Sequence, residues 1–183
     1  MTLMSLNSIN WQKYFKGNQL EQDCHLLALV NAHCFLYDEI LTKAEYLSLA
    51  ERTGTVAGPL INVDLALKEL KIKVKHVFCS IYSSLGHYIK VEGNVKTEVH
   101  CATYQLLPLR INVWHPKYGH HCMLAVDYNE QLQAIRVLNF KYETSTDGWM
   151  FLENLEPFVQ SMCYNDNETL EKRYCNYVQY ERV

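Results

Sequence analysis

A cysteine that follows a polar turn and opens an apolar segment is a candidate nucleophile. Cys24 has this position, between the turn at residues 17–23 and the apolar residues 25–37. If the apolar segment is a helix, its N-terminus directs partial positive charge at the sulfur, which lowers the thiol pKa from about 8.5 into the range of about 3.5–7.5. A thiolate of this kind attacks carbonyl carbons. The alternative is small core filler, our interpretation for Cys34.

A histidine that could take the thiol proton precedes an apolar run. His121 is followed by Met123, Leu124 and Val126, which predicts a strand over 122–128. Such a strand can hold the ring rigidly toward a cleft, where an imidazole serves as a general base near neutral pH. His120 fits this spacing less well. A solvated turn histidine or one half of a metal site is the alternative.

A group that could orient the imidazole ends the next strand. Asn139 closes a predicted strand over 132–139, and a predicted tight turn at 129–130 is nearly equidistant from His121 and Asn139. The hairpin therefore predicts that the two are neighbours. The side-chain oxygen of Asn139 could then accept the imidazole N–H and fix the tautomer. Asn139 as a plain strand terminator is the alternative. Asp127 competes as the orienter, but lies toward the opposite end of its strand.

Three helices are predicted in the first part of the chain. Residues 17–37 contain a helix that is apolar nearly all round, as expected in the middle of a domain, with Asp23 as a cap for a start at Cys24. A second helix over 43–52 has a Thr42–Glu45 capping box, and a third, capped by Asn62, covers about 63–70.

Strands dominate the remainder. They are predicted over 72–77, 106–114, 122–128 and 132–139, with a weak strand over 174–183. A helix over 149–162 interrupts them. Helices followed by antiparallel strands indicate an α+β domain built as two lobes, with the central helix packed on the sheet.

The composition excludes several classes of function. The chain has 183 residues, enough for one domain with a sizeable core, and a net charge of −3 without a block of like charges. It lacks the basic footprint of a nucleic-acid binder, a membrane-spanning apolar run and a recognisable signal peptide. We therefore expect its seven Cys to be reduced thiols. The expected location is the cytoplasm, or a host cell reached by a non-classical secretion route.

The order of these residues resembles that of the papain-like cysteine peptidases. Cys24 opens a helix, His121 opens a strand of the form His-x-φ-φ-x-φ-x-Tyr (φ apolar), and Asn139 closes the next strand. Within this superfamily the short chain is similar to the bacteriocin leader-processing, or double-glycine, peptidases. Their pattern also ends in a Trp-containing terminal helix, here residues 148–153. The resemblance covers roughly residues 17–160.

The resemblance implies a role for each of four residues. Cys24 is the nucleophile, His121 the base and Asn139 the residue that orients the imidazole. Gln19 donates to the oxyanion together with the backbone N–H of Cys24. It also implies a papain-like two-lobed fold, in which residues 1–183 form one hydrolase domain.

Two departures from the family pattern bear on the site. The family's Gln lies six residues before the nucleophile, where this chain has Asn18. Both Asn18 and Gln19 therefore remain candidates for the oxyanion donor. The residue after the nucleophile is small in the family and is His25 here, which narrows the site or changes its substrate.

The expected function is hydrolysis of a peptide, isopeptide or side-chain amide bond in a protein or peptide substrate, through a thioacyl-enzyme. A glutamine deamidase or transglutaminase-like effector of the same fold is one alternative, since fold alone does not separate these substrates. A papain-like binding module without activity is another.

A structural zinc site is the main alternative outside this superfamily. Four pairs of neighbouring Cys and His residues occur: Cys24-His25, His33-Cys34, His100-Cys101 and His121-Cys122. Zinc ligands are usually two to five residues apart, and adjacent strand residues point to opposite faces. We therefore expect neither a metal nor a cofactor.

Overall fold

The protein is an α+β structure, as the order of predicted elements indicated. The computed structural model describes residues 3–56, 58–81, 86–117, 119–141, 144–159 and 173–183. The helices in this part of the chain are α1 (Cys24–Tyr37), α2 (Lys43–Thr53), α3 (Val63–Glu69) and α4 (Leu152–Leu155). The strands are β1 (Ile72–Ile81), β2 (His87–Glu92), β3 (Val95–His100), β4 (Leu109–His115), β5 (Gly119–Asn129), β6 (Ala134–Leu138), β7 (Trp149–Phe151) and β8 (Arg173–Arg182).

The strands form one antiparallel sheet in the order β3-β2-β1-β8-β4-β5-β6-β7. Neighbours along the chain are neighbours in the sheet within β1–β3 and within β4–β7, and β8 lies between β1 and β4. The weakly predicted terminal strand is therefore confirmed, and it joins the two halves of the sheet. Its residues 176–180 are buried, as suits a central strand.

The helix α1 lies in the core, as its uniform apolarity predicted. All nine residues from Leu26 to Cys34 are buried. They pack with α2 and α3 against one face of the sheet, where β5 contributes Cys122, Leu124 and Val126. The other face has a second core, which includes Met123 of β5. No helix among the residues the structure describes combines the length and apolarity needed to cross a membrane.

The local signals at α2 and α3 are confirmed. Thr42 Oγ1 accepts a hydrogen bond from the Glu45 N–H at 3.2 Å, and Glu45 Oε2 accepts one from the Thr42 N–H at 2.7 Å. This reciprocal pair is the predicted capping box. Asn62 caps α3 by accepting from the Leu65 N–H at 3.0 Å. These helix starts depend on residues three apart, so local sequence determines them.

One predicted helix was wrong, and one hairpin was missed. The helix over 149–162 is instead the strand β7, the short α4 and a 3₁₀ turn over Glu156–Phe158, while residues 160–162 lie outside the described residues. β7 pairs with the edge of β6 that β5 leaves open, with Ile135 opposite Met150. This pairing between strands overrides the helical propensity of residues 149–151. The hairpin β2–β3 was not predicted, because its polar and charged residues give a weak strand signal.

The hairpin β5–β6 differs in detail from its prediction. Its connection covers residues 130–133 rather than the two residues 129–130, and Asn129 pairs with Ala134. A β-bulge then lies between Ala125 and Asp127, after which Leu124 pairs with Leu138. The strand β5 also begins at Gly119, so His121 is its third residue. Asn139 follows the end of β6 and remains close to His121.

Candidate active site

The nucleophile candidate is the first residue of the buried helix α1. Asp23 precedes it as the N-cap, but its side chain makes no capping hydrogen bond, so the predicted side-chain cap was wrong. The fully buried carboxylate instead accepts the N–H groups of Gln19 at 3.0 Å and Leu20 at 3.1 Å. It thereby folds the turn that leads to Cys24. No side-chain cap occupies the N–H groups of the first turn of α1, which face the end where Cys24 lies.

A tyrosine of α2 stabilises this turn through a hydrogen bond to Asp23. The hydroxyl of Tyr46 donates to the Asp23 carboxylate at 2.5 Å, and both residues are fully buried. Burial and then the Asp23 carboxylate raise the pKa of Tyr46, so it remains a protonated donor. The sequence suggested no role for this tyrosine, because the two residues lie on different elements.

Cys24 and His121 line one cleft, and each shifts the pKa of the other. The pKa of Cys24 falls to about 4. A hydrogen bond from the Cys122 thiol is the largest cause. Burial opposes it, and the His121 side chain and the Cys122 backbone lower the pKa further. Cys24 is therefore a thiolate at neutral pH.

The pKa of His121 moves in the opposite direction. Burial lowers it, but hydrogen bonds to the Cys24 sulfur and to the Asn139 backbone outweigh burial and raise the pKa above its ordinary value. From about pH 4 to beyond the ordinary imidazole pKa of about 6.5, the two groups therefore form a thiolate–imidazolium pair. This is the charge state that a cysteine nucleophile needs.

Asn139 contacts His121 through a different atom from the one predicted. Its main-chain carbonyl, not its side chain, accepts the hydrogen bond from His121 Nε2, at 2.5 Å. This leaves Nδ1 as the ring nitrogen for Cys24. The Asn139 side chain instead donates from Nδ2 to Asn18 Oδ1 at 2.7 Å. A φ of 68° turns the Asn139 backbone into the left-handed region, which asparagine tolerates better than most residues.

The prediction for Gln19 was also wrong in its placement. The Gln19 Nε2 donates to the Gly17 carbonyl at 2.7 Å, and the residue lines a neighbouring cavity that lacks Cys24. Asn18 lines the cleft of Cys24 and His121 itself. Asn18, six residues before Cys24, is therefore the amide that shares the cleft with Cys24 and His121.

The cleft around the pair has a volume of about 890 Å³. Its residues are Gly17, Asn18, Glu21, Gln22, Cys24, His25, Pro59, Asn112, His115, His120, His121, Cys122, Asn139, Phe140 and Lys141. His120, the less favoured candidate, is exposed in this lining. Its exposure and the hydrogen bond between His121 and Cys24 separate the two histidines.

His25 is held to one wall of this cleft by an arginine of β4. Arg110 contacts His25 Nε2 through its guanidinium and donates to the Tyr180 hydroxyl at 2.9 Å. Burial and then the Arg110 charge lower the pKa of His25 to about 4, so its ring is neutral at pH 7. The bulky residue after the nucleophile therefore does not compete with His121 as the cationic partner of Cys24.

Cys122 is the site residue that sequence reasoning missed. Its pKa is raised well above the ordinary value, first by its hydrogen bond to Cys24 and then by burial, so it stays a protonated donor. It follows His121 directly, and both residues contact the same sulfur. The adjacency was visible in the sequence, but the expectation that neighbouring strand residues face apart concealed it. Asp127 lies outside the cleft and forms an ion pair with Arg136 at 3.5 Å.

Comparisons of the chain with protein-family models, curated proteins and solved structures find no match. A functional assignment therefore depends on the geometry of Cys24, His121 and their neighbours.

Proposed function

We propose that the protein is a papain-like cysteine hydrolase that cleaves an amide bond in a protein or peptide substrate. The observation that carries the proposal is that Cys24, the first residue of a buried helix, shares one cleft with His121, and that each of the two shifts the pKa of the other. A cysteine that only fills the core has its pKa raised by burial, as at Cys34. The pKa of about 4 at Cys24 has the opposite sign.

The proposed reaction begins with the Cys24 thiolate attacking the substrate carbonyl carbon. His121 then protonates the leaving nitrogen, and the bond between carbon and nitrogen breaks to leave a thioacyl-enzyme. A water molecule, which gives its proton to the now neutral His121, attacks this thioester and releases the acid. The Asn139 carbonyl keeps the ring in the productive tautomer throughout.

The tetrahedral intermediate needs donors for its oxyanion. The proposed donors are the backbone N–H of Cys24, at the free N-terminus of α1, and the side-chain Nδ2 of Asn18. Asn139 supports the proposed role of Asn18, because Asn139 Nδ2 donates a hydrogen bond to Asn18 Oδ1 and so orients the Asn18 amide. Gln19 is the less suitable donor, since its amide is bound to Gly17.

The papain-like two-lobed fold and the single catalytic domain are part of the same proposal. Their support is the order of the parts: the nucleophile opens the central helix, the base lies on β5, and the orienting residue follows β6. The α1 helix packs on the same strand β5 that carries His121. The start of α1 thus provides Cys24, and the β5–β6 hairpin provides His121.

An electrophilic probe tests the proposal. A peptidyl vinyl sulfone should label Cys24 in the wild type, and His121→Ala should abolish this labelling. His120→Ala, which removes an exposed histidine of the same cleft, is the matched control and should label normally. Failure of Cys24 to label faster than Cys101 would instead support a binding module without activity.

A substrate panel then identifies the bond. Peptides, ubiquitin-like conjugates and glutamine-containing proteins are incubated with the wild type and with Cys24→Ala, and the products are analysed by mass spectrometry. New chain termini indicate a peptidase, and a gain of about one mass unit with release of ammonia indicates a deamidase. No Cys24-dependent product in any class would contradict the proposal.

A further inference from the structure

A second cluster of reactive side chains lies on the hairpin that the sequence did not predict. His87 opens β2 and pairs across the hairpin with His100, which closes β3. Directly opposed residues in an antiparallel pair share one face of the sheet, and so do residues two apart along a strand. Glu98 therefore lies on the same face as both histidines.

The three side chains converge on one point. The His87 and His100 rings are 3.8 Å apart between centroids, at an interplanar angle of 90°. Glu98 Oε1 lies 3.9 Å from His87 Nδ1 and 3.6 Å from His100 Nε2. One ligand atom from each residue lies within 4.8 Å of the other two. These separations exceed hydrogen-bond distances, so the three groups lie close together without hydrogen bonds between Glu98 and the two imidazoles.

The separations between these ligand atoms are close to those that a small divalent cation requires. Ligands about 2.0–2.1 Å from a tetrahedral ion are separated by about 3.3 Å, a few tenths of an ångström less than the two carboxylate–imidazole distances. All three side chains are at least partly exposed, so small rotations can close the difference. Two imidazoles and one carboxylate form a donor set that suits Zn²⁺, with water as the fourth ligand.

We propose that His87, Glu98 and His100 form a binding site for a first-row divalent cation of the zinc type. The cation joins the first residue of β2 to the last residue of β3 and so closes the open end of the hairpin. A hard cation such as Mg²⁺ is excluded, because it prefers oxygen ligands in octahedral geometry. The site is independent of the proposed hydrolase, since β2 and β5 lie four strand positions apart, roughly 19 Å at about 4.8 Å per strand.

Titration of the full chain with Zn²⁺ tests the site. Cys24 is first blocked with iodoacetamide, because a thiolate beside an imidazole also binds zinc. Competition with a chromophoric chelator should give one equivalent of bound Zn²⁺. His87→Gln and His100→Gln should each weaken binding at least tenfold, and Glu98→Gln less. His120→Gln removes an exposed histidine elsewhere and should leave the affinity unchanged.

Cobalt substitution and hydrogen exchange complete the test. Bound Co²⁺ should give the visible bands of a tetrahedral ion without a thiolate charge-transfer band, and Zn²⁺ should slow amide exchange in residues 87–100. Unchanged zinc affinity in both histidine variants would overturn the proposal. So would a thiolate band in the blocked protein, or no binding of Zn²⁺ at micromolar concentration.

Discussion

The Asn139 main-chain carbonyl accepts the hydrogen bond from His121 Nε2, and the Asn139 side chain binds Asn18. One residue thus connects the base to the turn that precedes the nucleophile. The backbone atom orients the ring, and the side chain orients the proposed oxyanion donor. A substitution of the Asn139 side chain therefore removes the contact with Asn18 but keeps the carbonyl that orients the imidazole.

The thiolate of Cys24 should be detectable by its pH dependence. Its pKa is lowered to about 4, so the thiolate is lost only when the pH falls through that value. Iodoacetamide should therefore alkylate Cys24 at nearly its full rate at pH 6. Cys101 is the control, because it is also partly exposed but burial raises its pKa, and it should react only at alkaline pH. Equal slow labelling of both at pH 6 would contradict the ion pair.

Catalysis should follow a bell-shaped pH profile if the proposed function is correct. The acid limb should lie near pH 4, where Cys24 becomes protonated. The alkaline limb should lie above about 6.5, because the raised pKa of His121 keeps the general acid protonated to higher pH. Measurement of kcat/KM between pH 3 and 10 on the identified substrate checks both limbs. An alkaline limb at or below the ordinary imidazole pKa would be inconsistent with this pair.

Cys122 should tune the reactivity of Cys24. Its hydrogen bond is the largest cause of the lowered pKa, so Cys122→Ala should move the midpoint of Cys24 alkylation to higher pH. Each unit of this shift corresponds to about 1.4 kcal/mol of lost thiolate stabilisation. Cys122→Ser keeps a donor at the same place and should shift the midpoint less. If both the Cys122→Ala and Cys122→Ser variants keep the wild-type midpoint, the contact between Cys122 and Cys24 has no electrostatic role.

Asn18 and Gln19 form a matched pair of amides for testing the oxyanion site. Asn18→Ala should slow acyl transfer by about 10²–10³, the usual effect of removing one oxyanion donor. It should leave alkylation by iodoacetamide nearly unchanged, since that reaction develops no oxyanion. Gln19→Ala should affect acyl transfer much less, because the Gln19 amide is bound to Gly17. The reverse order of effects would return the role to Gln19.

Glycine and alanine at position 139 should behave differently. Asn139→Gly keeps both the carbonyl and the left-handed backbone, so the pH dependence of Cys24 alkylation should persist. Compared with Asn139→Gly, Asn139→Ala retains a β-carbon in the left-handed conformation, at a cost of about 1–2 kcal/mol. Urea unfolding measures that difference. Both variants lose the contact with Asn18, so both should slow acyl transfer; normal transfer in Asn139→Gly would argue against orientation through Asn18.

Local sequence determined the elements that carry the reactive pair. The helix α1 is apolar nearly all round, so it had to be buried, and the polar turn before Cys24 marked its start. The hairpin brought Asn139 near His121 because its turn is roughly equidistant from both. Periodicity and turn position are properties of neighbouring residues, and they predicted an α+β protein in which His121 and Asn139 are neighbours, whereas the pairing of Cys24 with His121 was implied only by the resemblance to papain-like peptidases.

The tertiary structure alone decided which atoms meet. The Asp23 carboxylate accepts hydrogen bonds from Tyr46 and from the preceding turn rather than capping its own helix. Cys122 lies near Cys24 because α1 packs on β5. Asn18 rather than Gln19 enters the cleft because Asn139 holds its amide. The His87–His100 pair exists only through the register of a hairpin with a weak sequence signal. Each of these contacts joins residues on separate elements, and their geometry depends on packing that no local pattern encodes.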